Sequence, residues 1–360
     1  MLLVPALLFS VGPVFAITAK ASNIERAPAR FPSLVTSLRL DSPPDFCGEV
    51  VPMDNPDVRE RLEKELLLNL WDRAQMLLYI KRSGRYFPYI EAQLKARGMP
   101  DDLKYLAVIE SALKPHAGSR SGAMGYWQFI RPTALRYGLR VDSSIDERRN
   151  IFTSTTAALE YLADLQGMFD SWSLAAAAYN MGEQGLKKRI RTQGVEDFHR
   201  LYLPLETQAY VFRAIAVKEI MANPERYGLL LEEADYYTPP RFDRVMVNCP
   251  YPVPVRVVAD ASGTYFKVIK DLNPQVQGDD LPKGVLELLV PEGGGVGFGE
   301  RFAEAVAKLK PQVTSYVVRS GDNLTAIARR LKVSLSTLLN MNGLTVQSNI
   351  HPGQRLIIPR

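Results

Sequence analysis

The residue best placed to do acid–base chemistry is Glu110, the one carboxylate in the apolar run LAVIESAL at residues 106–113. Leu106, Ala107 and Leu113 lie three or four positions away, so the acid shares the apolar stripe of a predicted helix and should face inward. Burial penalises a charged carboxylate and raises its pKa, which lets a glutamic acid stay protonated near neutral pH and act as a general acid. Taken alone, this helix is better explained by a structural acid that pairs with a buried arginine or caps a neighbouring helix.

A loop of small residues follows this helix. Pro115 ends the helix, and the loop contains Ala117, Gly118, Ser119, Ser121, Gly122, Ala123 and Gly125. Such a loop lets a bulky substrate approach backbone and hydroxyl groups closely. The amide of Gln128 and the flat face of Trp127 then suit a sugar with N-acetyl groups, because amides bind amides and aromatic rings cover sugar C–H surfaces.

The run from Glu110 to Gln128 resembles the signature of the lytic transglycosylases of glycoside hydrolase family 23. Two later segments resemble the family's second and third motifs in the family's order, and the three together cover about residues 88–227. The matching residues are Glu110-Ser111, Pro115, Ala117, Ser119, Gly122-Ala123, Gly125 and Gln128; Ala178 to Gly182; and Leu203 to Thr207 with Tyr210-Val211. The chain departs from the first motif at Tyr126, where the family usually carries Leu, and at Trp127, often Met; both changes bear on sugar contacts.

The resemblance implies a multidomain protein with an all-α, lysozyme-like catalytic domain of the goose-type and soluble lytic transglycosylase kind. It implies cleavage of the β-1,4 bond between N-acetylmuramic acid and N-acetylglucosamine in peptidoglycan. Glu110 would protonate the leaving oxygen and then, as a carboxylate, take the proton of the muramic acid C6 hydroxyl, which closes a 1,6-anhydro ring. Ordinary glycosidases use two carboxyl groups; here one residue would play both parts, without a cofactor.

The resemblance also implies a set of substrate-binding residues. Ser119 and Ser121 would hydrogen-bond the substrate near its N-acetyl or lactyl group, and Gln128 would hold the bound sugar. Tyr210 would lie close to the acid. The full set expected to contact substrate is Ser119, Ser121, Tyr126, Trp127, Gln128, Tyr179, Asn180 and Tyr210. Tyr179 alone fits a core residue equally well, and Glu206 with Tyr210 fits a helix-surface pair.

Two other functions remain open at this stage. A true hydrolase on the same scaffold, as in goose-type lysozymes, would cut the same bond, and a non-catalytic protein would only bind the cell wall. The products separate them, because a transglycosylase yields anhydro ends that are lighter by one water than the hydrolase's reducing ends.

Composition favours two or three domains, because the chain has 360 residues of which 46% are hydrophobic. Lys and Arg exceed Asp and Glu by 44 to 39, a mild positive charge that suits an acidic cell-envelope polymer. No interleaving of basic and aromatic residues suggests nucleic acid. The three histidines, His116, His199 and His351, lack ligand spacing, so no metal site is predicted.

The N-terminus indicates export. Residues 1–21 form a short apolar stretch that ends in small residues, which is typical of a secretory signal. No Lys or Arg precedes the apolar run, so the segment fits either a cleaved signal or a retained anchor. We expect a periplasmic or cell-envelope location with peripheral association, and the absence of a cysteine directly after the apolar run argues against a lipid anchor. Residues 22–56 are Pro-rich and predict an extended arm. Cys47 and Cys249 can pair in an oxidising compartment or stay as free or buried thiols.

The remaining chain divides by pattern. Helical periodicity predicts an all-α domain over residues 57–238, whereas short β-branched runs dominate afterwards. An internal repeat places 255–274 over 324–343 at a shift of 69, so that Asn273 meets Asn342. Each copy predicts a strand, two short helices and a strand, with copies at 244–292 and 314–360 and a linker with a short helix at 293–313.

The C-terminal copy resembles a LysM module over its whole length. Ser320-Gly321-Asp322 predicts a turn, Asp322 can cap the next helix, and Ser334 can cap the second. LysM modules bind N-acetylglucosamine-containing glycans between the loop after the first strand and the loop before the last. The residues expected there are Ser320, Gly321, Asp322, Asn323, Leu324, Asn349 and Ile350. The upstream copy lacks the Ser-Gly-Asp turn and fits either a spacer or a glycan-binding module.

Overall fold

The computed structural model describes residues 32–309 and 313–359. Over these residues the buried side chains form three hydrophobic cores: one in the helical domain and one in each of the two repeat copies, which we call the first and second modules. The predicted signal at 1–21 and the start of the predicted arm lie outside the described residues.

The described part of the predicted arm is packed rather than extended. It contains helix α1 (Leu34–Ser37) and the antiparallel strands β1 (Asp45–Phe46) and β2 (Glu49–Val50). Phe46 is buried in the helical core. Glu49 accepts hydrogen bonds from the backbone N–H groups of Trp172 and Ser173, so its carboxylate caps a helix start. The segment therefore belongs to the helical domain.

The first long helix of the helical domain begins after its cap residue Asn55, and Pro56 occupies its first turn. Leu62, Leu66 and Leu70 recur every four residues and are buried, which gives this helix its core-facing stripe. The α-helices are α2 (Pro56–Trp71), α3 (Arg73–Ala96), α4 (Lys104–Ser111), α5 (Arg131–Arg136), α6 (Ile151–Phe169), α7 (Trp172–Met181), α8 (Glu183–Gln193) and α9 (Leu205–Ala222). Short 3₁₀ helices lie between them at Asp101–Leu103, Glu147–Arg149 and Phe198–Arg200, and after α9 at Pro224–Tyr227 and Glu233–Asp235.

Helix α7 lies at the centre of this domain. Its residues Ser173 to Ala178 are all buried. Four consecutive alanines present so little bulk that α6 and α9 pack closely against it. The predicted all-α lysozyme-like fold is confirmed.

The first module has the predicted strand–helix–helix–strand order. Strands β3 (Phe242–Cys249) and β6 (Gly284–Pro291) pair antiparallel, and the helices α10 (Val255–Ala261) and α11 (Phe266–Leu272) lie between them in sequence. Two further short strands, β4 (Val253–Pro254) and β5 (Asp280–Leu281), also pair.

The predicted linker differs from expectation. Helix α12 (Phe298–Lys308) buries Phe298, Phe302 and Val306 in the core of the first module. The glycine-rich turn before it is held by Asp243, whose carboxylate accepts a hydrogen bond from the Gly295 N–H at 2.9 Å. Most of this segment is therefore a third helix of the module.

The second module repeats the order with β7 (Val313–Val317), α13 (Leu324–Arg330), α14 (Leu335–Asn342) and β8 (Arg355–Pro359). The repeat extends to single hydrogen bonds. Asn342 donates to the carbonyl of Ile357 at 2.7 Å and accepts from its N–H at 2.7 Å. Asn273 makes the same pair with Leu289, at 2.7 and 2.8 Å. One asparagine thus ties the second helix of each module to its last strand.

Of the two possibilities that the sequence leaves open for the cysteines, the structure has the free thiols rather than the disulfide. Cys47 and Cys249 are both free. Cys47 packs against the helical core and Cys249 is buried in the core of the first module, so each thiol is held within a different core. Among the described residues, the helices are too short or too polar to cross a membrane.

Candidate active site

Glu110 is the last residue but one of α4, where the chain leaves the helical core. Leu106, Ala107 and Val108 before it are buried, whereas Glu110 keeps part of its surface exposed. Ala112 and Leu113 after it both adopt left-handed backbone conformations, with φ of 53° and 57°, so α4 stops abruptly. The acid therefore lies at the edge of the core and is partly exposed.

Tyr210 of α9 is the hydrogen-bond partner of the acid. Its hydroxyl donates to Glu110 Oε1 at 2.7 Å. Burial raises the pKa of Glu110 to about 7, and the Tyr210 hydrogen bond, which favours the ionised form, opposes that rise. A substantial fraction of Glu110 is thus protonated near neutral pH.

Nearby charges on α9 act weakly on Glu110. Arg213 lowers its pKa and Glu206 raises it. Arg213 is itself paired with Glu206 at 3.1 Å and with the buried Glu65 at 3.2 Å. Over the residues that the structure describes, Glu110 forms no ion pair, so the structural alternative of an acid paired with a buried arginine does not apply.

The loop after α4 is held by hydrogen bonds to its own backbone. Ser111 donates to the carbonyl of Tyr126 at 2.7 Å. The Gln128 amide donates to the carbonyls of Ala117 at 2.9 Å and Gly125 at 2.8 Å. Because both amide hydrogens are used, Gln128 holds the loop, and its carbonyl oxygen is the atom that is left to accept from a substrate N–H.

Ser119 and Ser121 lie exposed on this loop. Their hydroxyl oxygens are 2.8 Å apart, and Ser119 Oγ also accepts from the Ala123 N–H at 3.1 Å. Gly125 packs directly on the chain around Arg148, because a Cβ at this position would lie 1.8 Å from the Arg148 carbonyl oxygen. Only glycine fits there, since φ of Gly125 is also +82°.

The predicted sugar contacts of Tyr126 and Trp127 are wrong. Trp127 is fully buried, and its indole N–H donates to Thr155 Oγ1 at 3.0 Å inside the helical domain. Tyr126 is 3% exposed and packs edge-on against Tyr86. Both rings fill the core under the loop, so neither flat face is free to cover a sugar.

The second motif lies beside the acid. Tyr179, near the end of α7, donates to the Trp127 carbonyl at 2.8 Å, and burial together with the Glu110 charge raises the pKa of its hydroxyl. The Asn180 side chain accepts from Thr207 of α9 at 2.8 Å. Both residues are half-buried. The three motifs of the sequence therefore converge around Glu110.

In the second module, two of the predicted glycan-binding residues have internal roles. The Asp322 carboxylate accepts from the Tyr316 hydroxyl at 2.6 Å and from the Arg319 N–H at 2.9 Å, and pairs with Arg330. Leu324 is buried in the module core. Asn323, rather than Asp322, caps α13, whereas Ser334 caps α14 as predicted.

The other predicted glycan-binding residues of the second module are more accessible. Ser320, Gly321, Asn323 and Asn349 lie at or near the surface, and Ile350 packs partly against the core.

Sequence reasoning missed several residues that support the site. Ser111 and Thr207 are buried and hold the loop and Asn180. Asp146 and Arg148 form a buried ion pair, and Arg148 also bonds to the loop. Ser111 and Thr207 belong to the motifs themselves, but no local pattern links Arg148 to the loop. No cluster of potential metal ligands occurs in residues 32–309 or 313–359.

Two family models match this chain. Residues 87–201 match the transglycosylase SLT domain, and residues 316–359 match the LysM domain. The membrane-bound lytic murein transglycosylase D of Escherichia coli (strain K12) is 34% identical over 331 residues, which cover 87% of this chain and 72% of that protein.

More distant similarities are shorter. The peptidoglycan transglycosylase gp16 of Escherichia phage T7 is 45% identical over 85 residues, which cover 23% of this chain and 6% of gp16. The crystal structure of the 70 kDa soluble lytic transglycosylase SLT70 from Escherichia coli is 18% identical with a TM-score of 0.31, and covers 51% of this chain and 30% of that one.

Proposed function

This chain belongs to the family of the membrane-bound lytic murein transglycosylase D, and from that membership we propose that Glu110 is the single catalytic carboxyl of its reaction on peptidoglycan. The bond it cuts is the β-1,4 link between N-acetylmuramic acid and N-acetylglucosamine. The observation that carries this proposal is the Glu110–Tyr210 pair at the open edge of the core, with the pKa of Glu110 raised to about 7.

In the first step Glu110 acts as an acid. Its proton passes to the glycosidic oxygen while the bond from that oxygen to C1 of the muramic acid breaks. A carboxyl with a pKa near the working pH suits this transfer, because it is protonated often enough and gives up its proton readily. The Tyr210 hydroxyl keeps Oε1 oriented and stabilises the carboxylate that forms.

In the second step the same carboxylate acts as a base. It takes the proton of the C6 hydroxyl, and the C6 oxygen forms a bond to C1, which closes the 1,6-anhydro ring. Glu110 ends protonated, as it began, and no water is consumed. A second catalytic carboxylate is not needed. Glu206, the acid whose charge raises the pKa of Glu110, forms an ion pair with Arg213.

The loop and the second motif would bind the sugars on either side. Ser119 and Ser121 offer exposed hydroxyls and Gln128 offers its carbonyl oxygen, and the half-buried Tyr179 and Asn180 would contact the sugars from the second motif. All five act on binding, so their loss should raise KM more than it lowers kcat.

We also propose the roles of the flanking parts. Residues 1–21 would direct export to the periplasm or cell envelope. The second module would anchor the enzyme to glycan through the exposed loops around Ser320 and Asn349.

Replacement of the acid tests the proposal. The Glu110→Gln variant should release at least about a thousandfold less soluble fragment from purified sacculi, since general acid–base catalysis contributes on this scale. It should pellet with sacculi as the wild type does. Glu160→Gln, on the exposed face of α6, is the matched control and should retain full activity. Release by Glu110→Gln near the wild-type rate would remove Glu110 from its role.

A further inference from the structure

The first module contacts the helical domain through backbone hydrogen bonds. The Asp146 N–H donates to the Gln275 carbonyl at 2.8 Å, and the Gln277 N–H donates to the Ser144 carbonyl at 2.7 Å. Ile145 and Val276 form the bridge between these bonds. The segment at 140–147, which we call the docking loop, therefore pairs with the module like the edge of a small sheet.

A side chain of the docking loop also enters the module. Ile145 is 3% exposed and belongs to the hydrophobic core of the first module rather than to the helical core. Asp142 shapes the turn, because its carboxylate accepts from the N–H groups of Ser144 and Ile145. The docking loop thus inserts the Ile145 side chain into the core of the first module. Withdrawal of this side chain would expose apolar surface on both the loop and the module.

The docking loop connects this contact to the substrate-binding loop. The Asp146 carboxylate holds the Arg148 guanidinium at 2.8 and 2.9 Å, and both residues are buried. Arg148 Nη1 then donates to the carbonyl of Gly122 at 2.9 Å and of Phe129 at 3.0 Å. Gly122 directly follows Ser121, so Arg148 fixes the backbone next to the exposed hydroxyls.

In the first module, two loops correspond to the expected glycan-binding loops of the second module, and these two loops are paired with each other. At the repeat shift of 69, Val253-Pro254 and Asp280-Leu281 correspond to Asp322-Asn323 and Asn349-Ile350 of the second module. In the first module these pairs form the β4–β5 ladder, which joins the two loops. In the described part of the second module the corresponding residues form no such ladder.

We propose that the first module is a positioning part of the catalytic unit and that Arg148 transmits its contact to the substrate-binding loop. The module does not read glycan; it holds the docking loop, Asp146 holds Arg148, and Arg148 holds the Gly122 and Phe129 carbonyls. This inference rests on the proposed function in one respect: the proposed function assigns the loop after α4 to substrate binding.

The test uses the full chain and three variants. Ile145→Asp places a charge in the module core and should undock the module. Arg148→Lys keeps the positive charge. A lysine, however, cannot bind the Asp146 carboxylate bidentately and also donate to the Gly122 and Phe129 carbonyls. Val285→Asp is the matched control, because Val285 lies on the same module and is 63% exposed.

Hydrogen exchange and steady-state kinetics are then measured on each variant with soluble glycan fragments. Ile145→Asp and Arg148→Lys should exchange the amides of residues 117–129 roughly tenfold faster and raise KM by roughly tenfold, the scale of a lost charge-assisted hydrogen bond. The pH at which kcat falls by half should stay that of the wild type, because the Glu110–Tyr210 pair is untouched. Val285→Asp should match the wild type in every respect.

The remaining outcomes overturn either the positioning role or the proposed function. If Ile145→Asp and Arg148→Lys match Val285→Asp in exchange and KM, the positioning role is overturned. Faster exchange throughout the helical domain with a lowered Tm would also overturn it, in favour of general stabilisation. If the loop alone exchanges faster but even the wild type cleaves no glycan, the contact stands and the proposed function fails.

Discussion

At the Glu110 carboxyl, burial and a hydrogen bond act on the pKa in opposite directions. Burial raises it because the charged form loses its water, and the Tyr210 hydroxyl lowers it because the hydrogen bond stabilises that charged form. The balance at about 7 suits the proposed role of Glu110, in which the carboxyl gives up a proton and takes one back in a single turnover.

This balance predicts the pH dependence. In the proposed mechanism Glu110 must be protonated to act, so kcat should be retained below its pKa and fall by half near pH 7 as the pH rises. Tyr210→Phe removes the bond that favours the carboxylate, so the pKa should rise and this alkaline limb should move to higher pH. The measurement is the rate of fragment release, from samples quenched at successive times, at neutral pH values on both sides of this pKa.

The control for this prediction is Tyr202→Phe, since Tyr202 is 75% exposed and should leave the profile unchanged. An alkaline limb that moves to lower pH in Tyr210→Phe, or does not move, would contradict the assigned role of the hydroxyl.

Single residues differed in how well the sequence predicted them. The inward-facing position of Glu110 followed from the apolar residues around it, and its proximity to Tyr210 followed from the resemblance. Trp127 was predicted incorrectly, because an aromatic residue after a glycine-rich loop has the same local pattern whether its ring faces substrate or core. The contact of Arg148 with the loop could not be found at all, since the two loop carbonyls that it binds lie 26 and 19 residues away.

At the scale of elements, the end of α4 and the loop after it depend on backbone conformations that few residues tolerate. Gly125 combines positive φ with close contact to the Arg148 carbonyl, whereas Gly122 has a similar φ of +81° and open space within 4 Å of the point that a Cβ would occupy. A comparison of substitutions at the two glycines therefore distinguishes the cost of a positive φ from the cost of a steric clash.

Alanine at each glycine tests this difference. Gly122→Ala should cost about 1 kcal/mol of unfolding free energy, from the unfavourable φ alone. Gly125→Ala should cost more than about 2 kcal/mol and reduce activity, because the Arg148 backbone must also move. Chemical denaturation of both variants measures these values. Equal losses would show that close packing against Arg148 does not matter.

Helices and repeats were predictable because their patterns are periodic, and the Asn273–Asn342 match extends to equivalent hydrogen bonds. Helix α12 was predicted, but not its membership of the first module. Its Phe298, Phe302 and Val306 repeat every four residues and mark a buried stripe, yet the sequence does not say which core receives that stripe.

At the scale of the whole molecule, the two modules differ in what they contact. The first shares Ile145 with the helical domain, whereas the described core of the second is built from its own residues. Thr337 donates to Asp280 at 3.0 Å, which links the second module to the first. Binding to the wall and catalysis should therefore be separable.

Removal of the second module tests this separation. A chain that ends at residue 309 should keep the wild-type kcat on soluble glycan fragments, because the other two cores are intact. In the inactive Glu110→Gln background, it should pellet with sacculi at least roughly tenfold less tightly, as expected when one of two linked binding sites is lost. Unchanged pelleting would exclude the second module as an anchor.

The central claim is that an internal hydroxyl of the substrate, and not water, completes the reaction at Glu110. Digestion of purified sacculi in ¹⁸O-labelled water, followed by mass spectrometry of the fragments, tests it most directly. We predict wild-type fragments with anhydro ends, one water lighter than reducing ends and free of ¹⁸O, and none from Glu110→Gln. Reducing ends that carry ¹⁸O would contradict the claim and identify a hydrolase.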